Sequence, residues 1–440
     1  MRDFYRIVLT QTLSLLGSRM SAVALGIYVF TTTGQATPLL LVSFFAELPG
    51  MLGSSLAGVM VDRWDRRRVM MLADAGQAAA SLFLLIAFTT GRFELWMLYA
   101  ASLAQGVFAI FQGPAQSAAF TLLVPETRRD RANGIREMAF PLAGVAAPAL
   151  AGALYPLAGV AGIILVDLLT FGVAVAAIWG ARIPRPPVSP EGLAVTGGLL
   201  AELQGGLRYI ARMPGLLAFL LYEMTIYFLL NGSLALDLPY VISRTESEAI
   251  AGVLLGLTSL GALIGATLVA VKGRVYRRMA VLLAGIAFSG VMFLFFGTAH
   301  APLRLGLSMF LIFIPLPIEG ALATSVLQTR VPPDIQGRVF AVREQLGYLG
   351  ATLSFLLVGP LIDRVLEPAV GGPRWDAVAP LVGDTPGSGM GLLLVVTGVL
   401  ILAVTALAAL NPRVRRLDDG PAGVEWGELA LAESGADERG

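Results

Sequence analysis

No cysteine occurs anywhere in the 440 residues, which excludes disulfides, thiolate metal sites and thiol nucleophiles. There is a single histidine, His300, so no second imidazole is available to share a metal, and no Gly-x-Ser-x-Gly turn accompanies it. The single lysine, Lys272, lies between Val271 and Gly273 and not in the Gly-Lys-Ser/Thr of a phosphate-binding loop, which argues against ATP-driven work by this chain alone. With no constellation of nucleophile, base and metal, the sequence predicts no catalytic residue, no metal site, no cofactor and no enzyme. Charge is scarce too. Charged residues are 14% of the chain, against about 25% in globular proteins.

Apolar sequence fills the space that charge leaves. The composition is 56% hydrophobic and the mean hydropathy is +0.77. A helix crossing a bilayer needs about 20 predominantly apolar residues. Twelve such stretches are expected, at 7–30, 37–61, 69–90, 95–124, 134–156, 160–180, 215–242, 250–271, 279–298, 302–327, 340–362 and 388–411. None alternates at period two, so membrane strands are not expected. The predicted fold class is an all-α membrane protein, and its solvent is the lipid bilayer.

The chain also repeats itself at an offset of 207 positions. Gln112-Gly113, Val124-Pro125, Arg131, Arg136-Glu137 and Gly152 fall on Glu319-Gly320, Val331-Pro332, Arg338, Arg343-Glu344 and Gly359, and upstream Gly58 and Arg67 fall on Gly265 and Arg274. An unbroken offset between two hydrophobic halves indicates a duplicated six-helix bundle. Among membrane proteins, internal repeats mark secondary transporters, which hold substrate at the seam between halves and rock one half against the other. The expected organisation is a first half over 1–180, a linker over 181–213, a second half over 214–411 and an acidic tail over 412–440.

Orientation follows from the 31 Lys and Arg. By the predicted topology, 25 lie on the side of the N-terminus, five lie opposite (Arg92, Arg244, Arg304, Arg364 and Arg374), and Arg19 lies inside the first stretch. The positive side faces the cytoplasm, so both termini are expected there. The first apolar run lacks a small-residue cleavage site and is too long for a removed signal peptide. The net charge of +1 is a topological balance and gives no reason to expect nucleic acid. In the linker, the prolines of Arg182-Ile183-Pro184-Arg185-Pro186-Pro187 forbid a continuous helix. Leu200, Leu203, Leu207 and Ile210 then recur at helical spacing, which predicts an amphipathic helix on the cytoplasmic face. The tail from Arg413 has the polar, acidic composition of disordered segments.

The loop after the second stretch reads Gly58-Val59-Met60-Val61-Asp62-Arg63-Trp64-Asp65-Arg66-Arg67-Arg68-Val69. It resembles the signature loop of the major facilitator superfamily, with Met60 and Val61 departing from the usual residues. Gly58 lets helix ends approach. Asp62 can face the positive end of a neighbouring helix, and Arg63, Arg66 and Arg67 can pair with carboxylates. The resemblance implies that this cluster latches the cytoplasmic side. It extends from Phe4 to about Arg416, and is greatest to bacterial exporters that include enterobactin exporters and macrolide efflux proteins. The residues that suggest this branch are Arg131-Ala132-Asn133-Gly134, Asp167-Leu168-Leu169-Thr170-Phe171 and the run from Leu327 to Phe340. The segment from Gly144 through Pro148 to Gly152 is similar to the antiporter motif, with alanines at some glycine positions. The arginine that many drug–proton antiporters carry in the fourth helix is absent from Ser102-Leu103-Ala104-Gln105-Gly106, and Val269 stands at the repeat position of Asp62. The two halves are therefore not expected to gate alike.

A charge at the centre of a membrane helix costs about 2.5–3.5 kcal/mol on insertion scales and marks pathways, relays or ion pairs. Arg19, Glu47, Asp74, Asp167, Glu223 and Glu319 fall in apolar stretches. The resemblance places the first, fourth, seventh and tenth helices around the cavity, so Arg19, Glu223 and Glu319 are its predicted charged groups, with an Arg19–Glu223 pair expected. Glu47, at the bend signalled by Pro49-Gly50, joins them, together with Tyr222 and Tyr227, which flank Glu223 and can stack on a hydrophobic ligand. Asp74 and Asp167 are read as structural. Arg136, Glu137, Arg343 and Glu344, with Pro148 and Gly152, are expected to gate and pack the seam between halves. The pairs Gly252/Gly256 and Gly261/Gly265 are read as close-packing positions.

These readings converge on a monomeric secondary transporter of the bacterial inner membrane. It would export an amphiphilic or hydrophobic small molecule by alternating access, in exchange for protons. Movement of lipid or lysolipid is the alternative within transport, and a non-transporting receptor or scaffold the alternative outside it.

Overall fold

The computed structural model describes residues 2–125, 129–181, 207–272, 275 and 277–418, and among them there is no strand. The first half consists of α1 (Arg2–Thr33), α2 (Thr37–Arg63), α3 (Arg66–Thr89), α4 (Leu95–Leu123) and α5 (Arg129–Trp179). The second consists of α6 (Pro214–Leu234), α7 (Asp237–Thr245), α8 (Glu248–Lys272), α9 (Arg278–Gly297), α10 (Pro302–Phe313), α11 (Pro315–Arg330), α12 (Pro333–Leu361) and α13 (Ser388–Leu410). Most of the expected linker helix and all of the tail beyond Asp418 lie outside the described residues, although 207–212 are helical.

Among the described residues, eleven helices or helix pairs are long and apolar enough to cross a membrane. One of them supplies two crossings. A straight helix of the 51 residues of α5 would reach about 75 Å at 1.5 Å per residue, far beyond a hydrocarbon core of about 30 Å. The chain turns at Gly159, whose φ of 61° and ψ of −173° are open to glycine and not to residues with a side chain. Contacts with α1 show the reversal. Met20 and Ala24 pack on Ala147 and Ala151 of the first arm. Arg6 then meets the Ala177 carbonyl, while Ser18 meets Asp167 and Ser21 meets the Ile163 carbonyl, so the second arm runs antiparallel to α1. The twelve predicted crossings are thus present.

Two crossings are broken where single stretches are expected. The run 302–327 divides at Ile314, because Pro315 and Pro317 open α11 and remove backbone donors from that turn. The run 215–242 divides between α6 and α7. With twelve crossings, residues 2 and 410 share one side, here termed the terminal face; the opposite side is the far face.

Close backbone approach joins the halves. A Cβ at Gly252 of α8 would come 2.5 Å from the Pro148 carbonyl oxygen of α5, and one at Gly152 would come 3.0 Å from the Glu248 carbonyl. Gly256 faces the Val145 carbonyl on the same seam, whereas Gly261 and Gly265 face Phe310 and Ile314 within the second half. Helices α2 and α12 run antiparallel across the seam, with Thr37 beside Gly359 near the far face and Gly50 against Tyr348 at mid-depth. Gln345 of α12 also donates its side-chain amide to the Met51 carbonyl of α2.

Candidate functional site

Three helices of the second half converge on Glu223. This residue lies two and a half turns into α6 and is 2% exposed. Arg343 of α12 grips it with both sides of the guanidinium fork: Nη2 donates to Oε1 at 2.7 Å, and Nε lies 3.0 Å from Oε2 and 3.1 Å from Oε1. The remaining arm, Nη1, reaches Thr324 Oγ1 of α11 at 3.3 Å. About one and a half turns earlier on α11, Glu319 brings a second carboxyl beside that of Glu223. A planar fork on a carboxylate gives direction as well as attraction, and so fixes where α6 and α12 touch. The cluster carries two acids and one permanent base.

This cluster borders a cavity of about 390 Å³ at mid-depth of the seam. Glu47 of α2 forms the wall from the first half. Tyr227 and Asn231 of α6 and Arg343, Glu344 and Tyr348 of α12 form the wall from the second. The volume is in the range that small-molecule sites occupy. The lining combines aromatic faces with carboxylates and one guanidinium, chemistry suited to an amphiphile that offers an apolar body and a polar group.

Several predicted residues stand elsewhere. Glu223 is held by Arg343 of α12, where the sequence predicts Arg19. Arg19 instead lies along the seam, its guanidinium beside Gly144 of α5 and Ser259 of α8. Tyr222 turns away from the cavity into the second half, buried with its hydroxyl 3.4 Å from Thr405 Oγ1 of α13, because neighbouring positions on a helix point about 100° apart. Arg343 was expected to gate the seam with Glu344; it instead holds Glu223 and lines the cavity beside Glu344. The signal for this was in the sequence, since a base inside the apolar stretch 340–362 needs a buried acid as partner. Pro148 and Gly152 lie on the α5–α8 seam, as described above.

The buried acids of the first half have neutral partners. Asp167 accepts from Ser18 Oγ and Ser81 Oγ, each at 2.9 Å. Asp74 accepts from Gln11 Nε2 at 2.7 Å and Gln112 Nε2 at 2.5 Å. In the signature loop, Asp65 caps α3 through the Arg68 N–H at 3.1 Å, and Arg67 donates to the Trp179 carbonyl. Gly58, Asp62, Arg63, Arg136 and Glu137 fall in helices, and their side chains lie outside the described residues. His300 occupies the far-face connector before α10, where partial burial and then the charges of Arg244 and Arg304 hold its proton affinity below the usual histidine range. Among the described residues, no group of three His, Asp or Glu is placed to hold a metal.

The model of the Major Facilitator Superfamily matches residues 7–355 of the chain. Macrolide efflux protein A of Streptococcus pyogenes is 26% identical over 433 residues, covering 94% of this chain and 97% of the relative. The multidrug efflux pump Tap of Mycobacterium tuberculosis (strain ATCC 25618 / H37Rv) is 30% identical over 364 residues, covering 79% and 84%. Among solved structures, a bacterial homolog of the human lysosomal transporter Spinster, inward-facing and occupied, superposes with a TM-score of 0.73 at 14% identity over 95% of this chain and 97% of that one. The nucleoside transporter NupG superposes with a TM-score of 0.70 at 13% identity, over 93% and 100%. A duplicated twelve-crossing bundle, a cavity walled by both halves and a family match over most of the length lead to one conclusion: the chain belongs to the major facilitator superfamily and is a multi-pass membrane transporter rather than an enzyme.

Proposed function

We propose that this transporter is an efflux carrier of a bacterial inner membrane, with both termini in the cytoplasm, that moves an amphiphilic or hydrophobic small molecule outward in exchange for protons. The observation that carries this reading is the Glu223–Arg343–Glu319 cluster at the edge of the seam cavity. Two acids against one arginine leave the cluster with one negative charge in excess, and inside a bilayer that excess is neutralised by a proton or by a cationic group of the substrate. Competition between these two occupants is the elementary step of exchange. Outward direction is supported by the relatives, which are named as macrolide and multidrug efflux proteins. Because one chain supplies both walls of the cavity, a monomer suffices.

The test is exchange in proteoliposomes under an imposed pH gradient, with a macrolide and a set of amphiphilic cations as candidate substrates. Glu319→Gln fixes the cluster in a neutral state without removing the Glu223–Arg343 pair. It should abolish gradient-driven flux and leave downhill exchange partly intact. Gradient-driven flux that survives in both Glu319→Gln and Glu223→Gln would exclude the cluster as the coupling site. Competition by lysolipid, and not by drugs, would point to lipid as the substrate.

A further inference from the structure

Helix α2 begins at Thr37 without a cap of its own, since neither Ala36 nor Thr37 turns a side chain back onto the first turn and Pro38 has no N–H to offer. The cap comes from the other half of the molecule. Asp363 Oδ1 accepts the Ala36 N–H at 2.9 Å and Oδ2 accepts the Thr37 N–H at 2.6 Å. We propose that Asp363 is the far-face latch of the transport cycle, a positioning residue whose release from the start of α2 is required for the far face to open.

The local structure is built for this reach. Past the end of α12, residues Ile362–Leu366 form a π turn, a widened turn often found at functional positions. Gly359, one turn before Asp363, lets the helices meet; a Cβ there would come 2.7 Å from Thr37 Cα. Four residues beyond Asp363, Glu367 accepts the N–H groups of Gly387 at 3.2 Å and Met390 at 3.0 Å, at the start of α13. One acid therefore anchors the segment to its own half and the other crosses the seam. A carboxylate bidentate on the first amides of a helix also meets the positive end of the helix dipole. Separation of the halves at the far face breaks both hydrogen bonds and leaves two helix donors and a carboxylate to be hydrated.

The absence of cysteine makes the test direct, because every introduced thiol is a label. Spin labels at Thr90→Cys and Ala369→Cys report the far face, and labels at Pro125→Cys and Arg415→Cys report the terminal face, in nanodiscs without substrate. Asp363→Asn should shift the open-to-closed ratio at the far face by about fivefold to tenfold and raise closure at the terminal face. Gly359→Ala, which separates the same helices sterically, should shift both distances in the same direction, and it decides the matter if Asp363→Asn does not fold. Unchanged distance distributions in folded protein would overturn the proposal. These distances need no substrate or proton gradient, so the outcome is independent of the efflux reading.

Discussion

In the first half, Asp74 is held by the amides of Gln11 and Gln112, and Asp167 by the hydroxyls of Ser18 and Ser81. In the second half, Glu223 is held by the guanidinium of Arg343, and a second acid stands beside it. The scaffolds are copies, as the constant offset of 207 residues shows, but their buried acids have taken different partners. Glu319 makes the point directly, for its counterpart in the repeat is Gln112, one of the amides that satisfy Asp74. An amide donates to an acid and leaves its charge in place; a carboxylate at the same position adds a second charge and a proton site. The exchange at this pair of positions adds a second carboxyl in one half and an amide donor in the other, while the acids they serve, Asp74 and Glu223, fall on Val281 and Leu16 in the repeat.

The largest effect that would break this comparison is expected at Arg343. Arg343→Gln leaves two acids buried without a base, a loss of about 3–5 kcal/mol for removing one partner of a buried pair, read as a lower melting temperature of the purified protein. Glu223→Met with Arg343→Met should recover most of that stability and no gradient-driven transport, which separates the fold from the function. If the double variant transports normally, the contrast between the halves carries no functional meaning.

A smaller effect is expected in the first half. Asp167→Ala removes the acceptor of two interhelical hydrogen bonds, at about 0.6 kcal/mol each, whereas Asp167→Asn keeps an acceptor and should stay within about half of wild-type flux and stability. Loss of gradient-driven flux in Asp167→Asn with an unchanged melting temperature would move the proton chemistry into the first half. The smallest effect belongs to Tyr222→Phe. Its hydroxyl is 3.4 Å from Thr405 and faces away from the cavity, so at most about 0.5 kcal/mol is at stake and substrate affinity should be unchanged. Tyr227→Ala, one and a half turns along the same helix, should weaken binding; equal effects at the two tyrosines would contradict the placement of the cavity wall.

Much of this architecture could be read from the chain. Apolar runs long enough to cross a bilayer gave the crossings, and the gap between the stretches 134–156 and 160–180 contains Gly159, where the two arms of α5 reverse. Close-packing glycines were legible too, because a small residue every fourth position has few other uses in a membrane helix. The lateral neighbours were not. Arg19 lies within one turn of Leu16, the repeat position of Glu223, but position along a helix does not say which face meets which neighbour, and the partner of Glu223 is Arg343 of α12. Asp363 left no local signal at all, since its partner is the backbone of a segment more than 320 residues earlier, as its bond to Thr37 shows.

The cavity has Glu47 on one wall and Tyr227 with Arg343 on the other. An occupant that touches both walls is bound to two bodies at once, and its affinity is then a function of the angle between them. Thermodynamic linkage follows without further assumption. Whatever arrangement of the halves the occupant prefers, it enriches, and a tenfold preference in affinity becomes a tenfold change in the population ratio. A ligand of this protein therefore acts on the distribution of its shapes simply by fitting one of them better.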